Sequence, residues 1–434
     1  MFFTYSKRAI FCLLTALSIN AAAAIPHLTL ERAIEGAVTQ DIWHRKNQAD
    51  GDMVLAQAIT ASALPNPQVG MSINNLASDS FDFNQEAMTQ FKLSVSQKLN
   101  RGDSADLSAK MQRQRFQMFP LLAQDRRAQL RLAVAKLWLD AYANEQRQLL
   151  VSQERQLLEQ LISNAQRRYE SGDKAVSQSD IVSAQVELAA LDDRITQLQI
   201  NSHLAKLQLR EWLPDELVSL PLARDFKAQL LTSDVLPVTS QAWSEHLYQH
   251  PKLQSFIKMH QALMTNVDIA KESYKLQWQF NASYGLRGNE PQGASRADLL
   301  SVGVSVDVPL FNEERNDSKV TVAKRKLVSH QTERLLLLKS MIAKAQAQQK
   351  KLQLLTQRQE FYQQQLLPQV TNLVSAATTD YYNEQGDFAA ILRASLAKLN
   401  RQIQAFDIDI ERQLTIFQLQ YFLNQAAIKE SRDE

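Results

Sequence analysis

Few groups of residues in this sequence have types and spacing that could do chemistry. His246 and His250 stand four apart, which on a helix puts two imidazoles on one face and could bind zinc. No Glu motif or third ligand stands beside them, so they are expected to be two surface histidines. Met111 and Met118, seven apart, could share a helix face and offer soft ligands to copper(I), although packing is the simpler expectation. A Gly-rich phosphate loop, a Cys ligand set and a nucleophile elbow are all missing, so neither catalysis nor a cofactor is expected. What remains is a set of charges beside glycines. Asp173 follows Gly172 and Asp387 follows Gly386, with Asp180, Glu384 and Arg393 near them. An Asp directly after such a glycine is first of all a helix N-cap or a partner of the helix dipole.

The elements that must position these residues are long. The chain has 434 residues but only 10 Gly and 11 Pro, against the roughly 30 and 20 that average usage implies. So few turn-formers cannot punctuate a set of compact α/β or all-β domains. With 45% apolar and 22% charged residues the chain is neither disordered nor a polytopic helical membrane protein. Long helices with few connections are left.

Residues 1–24 have the pattern of an export signal: Lys7 and Arg8, an apolar stretch from Ala9, and small residues at Ala22-Ala23-Ala24. Its removal would leave 46 basic against 46 acidic residues. That balance argues against nucleic acid as a partner. The only cysteine, Cys12, lies inside the signal behind Ile10 and Phe11, so neither a disulfide nor a lipid anchor is expected. No later stretch approaches the ~18–20 apolar residues of a spanning helix, since Leu335–Leu338 is flanked by Arg334 and Lys339.

Landmarks recur at an offset near 210 residues, the pattern of an internal duplication. The expected repeats are 25–220 and 221–434. Each has helical sequence (Leu28–Ala63, Ser244–Ser273), a β-hairpin (67–99, 276–311) and a long helical hairpin (104–212, 315–425). In the second half Trp278, Phe280, Ala282, Tyr284 and Leu286 alternate with polar residues, as do Val302, Val304, Val306 and Val308. Val69, Met71 and Ile73, then Phe91, Leu93 and Val95, repeat this more weakly. Period two predicts strands with one apolar and one polar face. Such a sheet could pack on a helix as in α+β domains, or its strands could line a transmembrane β-barrel. Four strands cannot close a barrel, so the second reading requires an oligomer. The helical stretches from Ser104 and Arg315 hold one proline each, Pro120 and Pro368, and would span roughly 100 Å. The return stretches carry seams of the coiled-coil kind, through Leu191, Ile195 and Leu198, and through Leu392, Leu399 and Ile403.

Four pieces in order carry a family resemblance: Leu64-Pro65-Asn66-Pro67, Ser96-Gln97-Lys98-Leu99, His250-Pro251-Lys252-Leu253 and Val304–Asn312. Together with the duplicated plan, they make the chain resemble the outer-membrane efflux proteins, the TolC-like channels, over nearly its whole mature length. Within that family it is most similar to the heavy-metal, CzcC-like branch. The resemblance implies a mainly α fold with β: a homotrimer whose twelve strands close one barrel in the outer membrane of a Gram-negative bacterium. Twelve long helices would form a periplasmic tunnel. It also implies a tripartite pump, with a periplasmic adaptor (membrane fusion protein) and an inner-membrane RND transporter as partners, in metal resistance or the export of other small toxic compounds. The hairpin turns become the periplasmic gate, which assigns Gly172, Asp173, Asp180, Glu384, Gly386, Asp387 and Arg393 to its tips. Asp180-Ile181-Val182-Ser183-Ala184-Gln185 fits the family's first-hairpin pattern, with two extra residues after Gly172. In the second hairpin Leu392 and Ser395 stand where acidic residues are common. The alternative from another class is a periplasmic coiled-coil adaptor or scaffold outside any membrane.

Overall fold

In the computed structural model, residues 27–172, 176–224, 226, 236–311, 313–383 and 387–424 are described. The alternating segments form β1 (Gln68–Asn74), β2 (Gln90–Lys98), β3 (Gln277–Arg287) and β4 (Leu299–Asp307), one antiparallel sheet in the order β1-β2-β3-β4. Its register keeps apolar residues together: Met71 faces Leu93, Leu93 faces Tyr284, and Tyr284 faces Leu300. On the other face Ser72 meets Lys92, and Ser94 meets Ser283, which in turn meets Ser301. Among the described residues no helix covers the apolar face: Met71 is 72% exposed, Leu300 75% and Val302 81%. The described helices therefore do not form an α+β layer over the sheet.

One end of each strand adjoins a helical segment, and loops join the other ends in pairs. The helices α2 (Trp43–Ser62), α3 (Ser104–Phe116), α8 (Pro251–Lys271) and α9 (Glu313–Phe361) lie side by side in that order, as the strands above them do. Further from the sheet, α4 (Met118–Glu170) pairs with α5 (Gln178–Gln208), and α9 with α10 (Leu367–Tyr382) pairs with α11 (Phe388–Leu423). The helix α11 sits between α4 and α9, so the two hairpins form one body. Among the described residues no helix is long and apolar enough to cross a membrane.

The prolines act differently in the two long arms. Pro120 cannot donate to the carbonyl of Phe116, and the helix is broken three residues before it, at Gln117, into α3 and α4. Met111 and Met118 therefore lie on different helices, one on each side of this break. In the second arm the run from Glu313 to Tyr382 stays helical. A π-helical turn at Tyr362–Leu366 stands just ahead of Pro368 and takes up the mismatch.

Two further stretches expected as single helices are also broken. Leu28–Ala63 divides into α1 (Leu30–Gln40) and α2 because Asp41 turns the chain: its carboxylate accepts from Trp43 N at 3.2 Å and from Arg126 Nε at 2.9 Å. Ser244–Ser273 divides into α7 (Ser240–Leu247) and α8, with His250 capping α8 and Pro251 opening it. Two cores sit at mid-height. One surrounds Trp138 with α1, α4 and the end of α5; the other surrounds Trp243 with α7, α9 and α11. The short helix α6 (Asp215–Val218) closes the first of them through Val218.

Candidate functional site

The ends of the two helical hairpins lie together. Val176, Ile181 and Ala184 share one apolar cluster with Tyr381, Phe388, Ile391 and Leu392. The Arg168 guanidinium lies 4.3 Å from the Tyr381 ring centre, and its Nη1 donates to Tyr381 O at 3.5 Å. This cation–π clamp joins residues 213 apart in sequence. The sequence gives no local sign of this pairing, although Arg168-Tyr169 and Tyr381-Tyr382 precede the corresponding glycines.

Gly172 has φ +83°, and nothing lies within 4 Å of where a Cβ would stand, so the turn needs glycine for its backbone and not for space. Asp180 closes a capping box: Ser177 N donates to its Oδ2 at 3.0 Å, and Asp180 N donates to Ser177 Oγ at 3.3 Å. Asp387 is the N-cap of α11, accepting from Ala390 N at 2.6 Å. Each carboxylate keeps one oxygen without a partner among the described residues. Arg393 is exposed and donates from Nε to Ala389 O at 3.2 Å, within its own helix. Asp173, Glu384 and Gly386 lie outside the described residues. Leu392 and Ser395 are buried, Leu392 in the shared cluster, so these positions face neighbouring helices.

Against expectation, His250 is buried and His246 is half-buried. His250 is 1% exposed, its Nε2 lies 3.0 Å from Tyr421 O, and its Nδ1 accepts from Lys252 N at 3.2 Å. His246 Nε2 lies 3.2 Å from Leu423 O. Both imidazoles pack the last turn of α11 against α7 and α8. Around His250, the buried Asp125 accepts from Tyr421 Oη at 2.9 Å and from Gln129 Nε2 at 2.8 Å, with Lys252 Nζ 3.6 Å away. Burial holds the His250 pKa below the ordinary imidazole value, the nearby Asp125 opposing. A His whose folded pKa is depressed contributes stability above its unfolded pKa and loses it as pH falls. Thermal stability should therefore drop as pH falls below about 6.5, the unperturbed histidine value. His250→Asn, which keeps a capping oxygen, should flatten that dependence; an unchanged slope in melts across pH 5–8 would exclude His250 as its source.

The junction of sheet and helices carries the densest charge network. Arg101 pairs with Asp307 and donates from Nη1 to Lys275 O at 2.7 Å. Lys275 bridges Asp103 and Glu272, each at 2.8 Å, and Asp103 N donates to the Glu272 carboxylate at 2.8 Å. These contacts fix the entry of α3 against the start of β3.

No family model and no curated protein matches the sequence. Solved structures do match over nearly the whole chain. A CusC structure described as undergoing transmembrane channel formation aligns over 91% of each chain with a TM-score of 0.71 and 14% identity. A membrane protein from Pseudomonas aeruginosa aligns over 91% of this chain and 92% of its own, with a TM-score of 0.76 and 15% identity. The outer-membrane protein VceC of Vibrio cholerae aligns over 91% and 96%, with a TM-score of 0.74 and 14% identity. At such identity a likeness speaks for the fold, and the fold of this chain is that of the TolC-like outer-membrane channels.

Proposed function

We propose that this chain is the outer-membrane exit duct of a tripartite RND-type efflux system. Three copies would close a twelve-stranded barrel and a helical tunnel, each copy contributing the two repeats 25–220 and 221–434. A periplasmic adaptor would meet the hairpin ends, and an inner-membrane RND transporter would supply the energy. The observation that carries this reading is the sheet: one face apolar and uncovered, one face polar, and β1 and β4 at its two open edges. In water such a surface and such edges invite aggregation. In a closed barrel the apolar face meets lipid, the polar face lines the pore, and β4 of one copy pairs with β1 of the next. The strands of 9 to 11 residues, β2 to β4, match the length of a tilted membrane span. Purification as a soluble monomer without detergent would overturn the reading in favour of the periplasmic scaffold.

For cargo we propose metal cations or other small toxic compounds, on the CzcC-like motifs. Deletion of the gene should lower tolerance to copper, zinc, cobalt or cadmium; lost drug tolerance with unchanged metal tolerance would remove the metal version.

The tips are proposed as the gate. Three copies would place three Asp180 and three Asp387 carboxylates around one axis, with Asp173 and Glu384 close to them in sequence. Such rings select cations. Asp180→Asn should weaken cation preference in planar-bilayer recordings. Arg393→Ala should raise conductance if Arg393 reaches a neighbouring copy. If neither substitution changes conductance or selectivity, the constriction lies elsewhere.

A further inference from the structure

Just below the sheet, the first turns of α3 and α9 and the last turns of α8 enclose a cleft of about 620 Å³. Its volume falls in the range of small-molecule sites, roughly 300–1,000 Å³. Two cations of α9 line it, Arg315 and Lys319, one helical turn apart, and neither has an ion-pair or hydrogen-bond partner among the described residues. Arg101 lines the same cleft and is held in place by Asp307 and the Lys275 carbonyl. Three of the four neutral polar side chains are also uncommitted: Ser104, Ser318 and Asn266 make no side-chain hydrogen bond to another described residue, whereas Ser273 Oγ donates to Ala270 O at 2.7 Å. The one lining carboxylate, Glu272, is already engaged by Asp103 N and Lys275 Nζ, both at 2.8 Å. Ile269, Ala270, Val322 and Ala323 supply an apolar wall.

We infer that this cleft binds an anionic amphiphile, with a phosphate-like head between Arg315 and Lys319 and an apolar chain against Ile269 and Val322. The chemistry follows from the lining. Free cations with neutral donors beside them form charge-assisted hydrogen bonds to anionic oxygens, which are stronger than neutral ones. The aliphatic wall adds an affinity that inorganic phosphate cannot use. Tyr274 and Asp317 hydrogen-bond to each other between α8 and α9, and Asn316 Nδ2 donates to Ser273 O at 3.2 Å, so the two helices that carry the head and chain sites are tied together without a ligand. If the sheet spans the bilayer as proposed, the cleft lies at the level of the periplasmic headgroups. The head could then belong to a membrane phospholipid or to a water-borne amphiphile entering the duct.

The test is calorimetric titration of the detergent-solubilised full chain, in a neutral maltoside, with decyl phosphate below its micelle concentration. One saturable site per chain is expected, with inorganic phosphate binding more weakly and decyl maltoside not competing. Arg315→Gln with Lys319→Gln should weaken decyl phosphate by at least about tenfold, the equivalent of ~1.4 kcal/mol. Both side chains are on the surface of α9, and an unchanged melting temperature shows that the variant is folded. Absence of a saturable site, or equal binding by the double variant, overturns the proposal. Native mass spectrometry from nanodiscs distinguishes the sources: retained phosphatidylglycerol, lost in the double variant, identifies a lipid headgroup, and decyl phosphate binding without lipid retention identifies a soluble amphiphile. The binding is read without any current through the protein, so a failed channel assay and a failed binding assay remain separate results.

Discussion

Val302→Arg should abolish assembly in the outer membrane, whereas Ser301→Arg, one residue away, should be tolerated. Val302 lies in the middle of β4, on the apolar face, opposite Ala282, and is 81% exposed in the single chain. An arginine on the lipid face near the bilayer midplane costs roughly 2–4 kcal/mol. If three copies share one barrel, the cost is incurred three times. Ser301 points to the polar face beside Ser283, where an arginine would stand in water. The readout is the amount of assembled protein in the outer-membrane fraction. Equal assembly of the two variants would mean that the apolar face does not meet lipid.

The second large effect is expected far from the sheet. Trp138 is fully buried, its ring stacks on Tyr142 at 5.2 Å between centroids and tilts against Phe226 at 5.5 Å, and its Nε1 donates to Leu28 O at 3.0 Å. That bond anchors the strand-like bridge between Leu28 and Leu222, which ties the start of the described chain to the segment after α5. Trp138→Ala removes the ring, leaves a cavity and takes one of two donors from the Leu28 carbonyl, which keeps Ala223 N at 3.2 Å, together about 3–5 kcal/mol. Trp138→Phe keeps most of the packing and should lose only about 1–2 kcal/mol. Chemical denaturation in detergent measures both. A loss below 1 kcal/mol for the alanine variant would show that this core can rearrange around the gap.

What sequence reasoning can see is decided by distance along the chain. The strands were visible because alternation is a local signal: Trp278 to Leu286 and Val302 to Val306 repeat every second residue, and the structure places them in β3 and β4. The helical arms were visible for the same reason, through their seams and scarce glycines. The Gly386-Asp387 pair points to the capping role of Asp387, but the same pair at Gly172-Asp173 does not mark the cap of α5, which is Ser177. The break at Asp41 has no such signal, because the residue that holds the turn, Arg126, is 85 positions away. His250 looked like a surface residue since its partner, the Tyr421 carbonyl, is 171 positions away. The Arg168–Tyr381 clamp joins two hairpins, and no window on either one contains both. The break at Gln117 was within reach, since Pro120 stands three residues after it. The second arm kept its helix past Pro368 by a π-helical turn, so a proline alone does not decide between the two outcomes.

In the proposed barrel one face of the sheet meets lipid and the other meets water. The only cysteine in the sequence is Cys12, so on a Cys12→Ser background single cysteines introduced along β4 can be labelled without competition. The measurement is the emission of an environment-sensitive fluorophore on Ser301→Cys, Val302→Cys, Val304→Cys and Ser305→Cys, with the protein reconstituted in bilayers containing brominated lipid. The fluorophores at 302 and 304 should be blue-shifted and quenched by bromine, and those at 301 and 305 should be neither. Uniform emission along the strand, or no quenching at any position, would contradict the account and return the sheet to an aqueous or protein-covered setting.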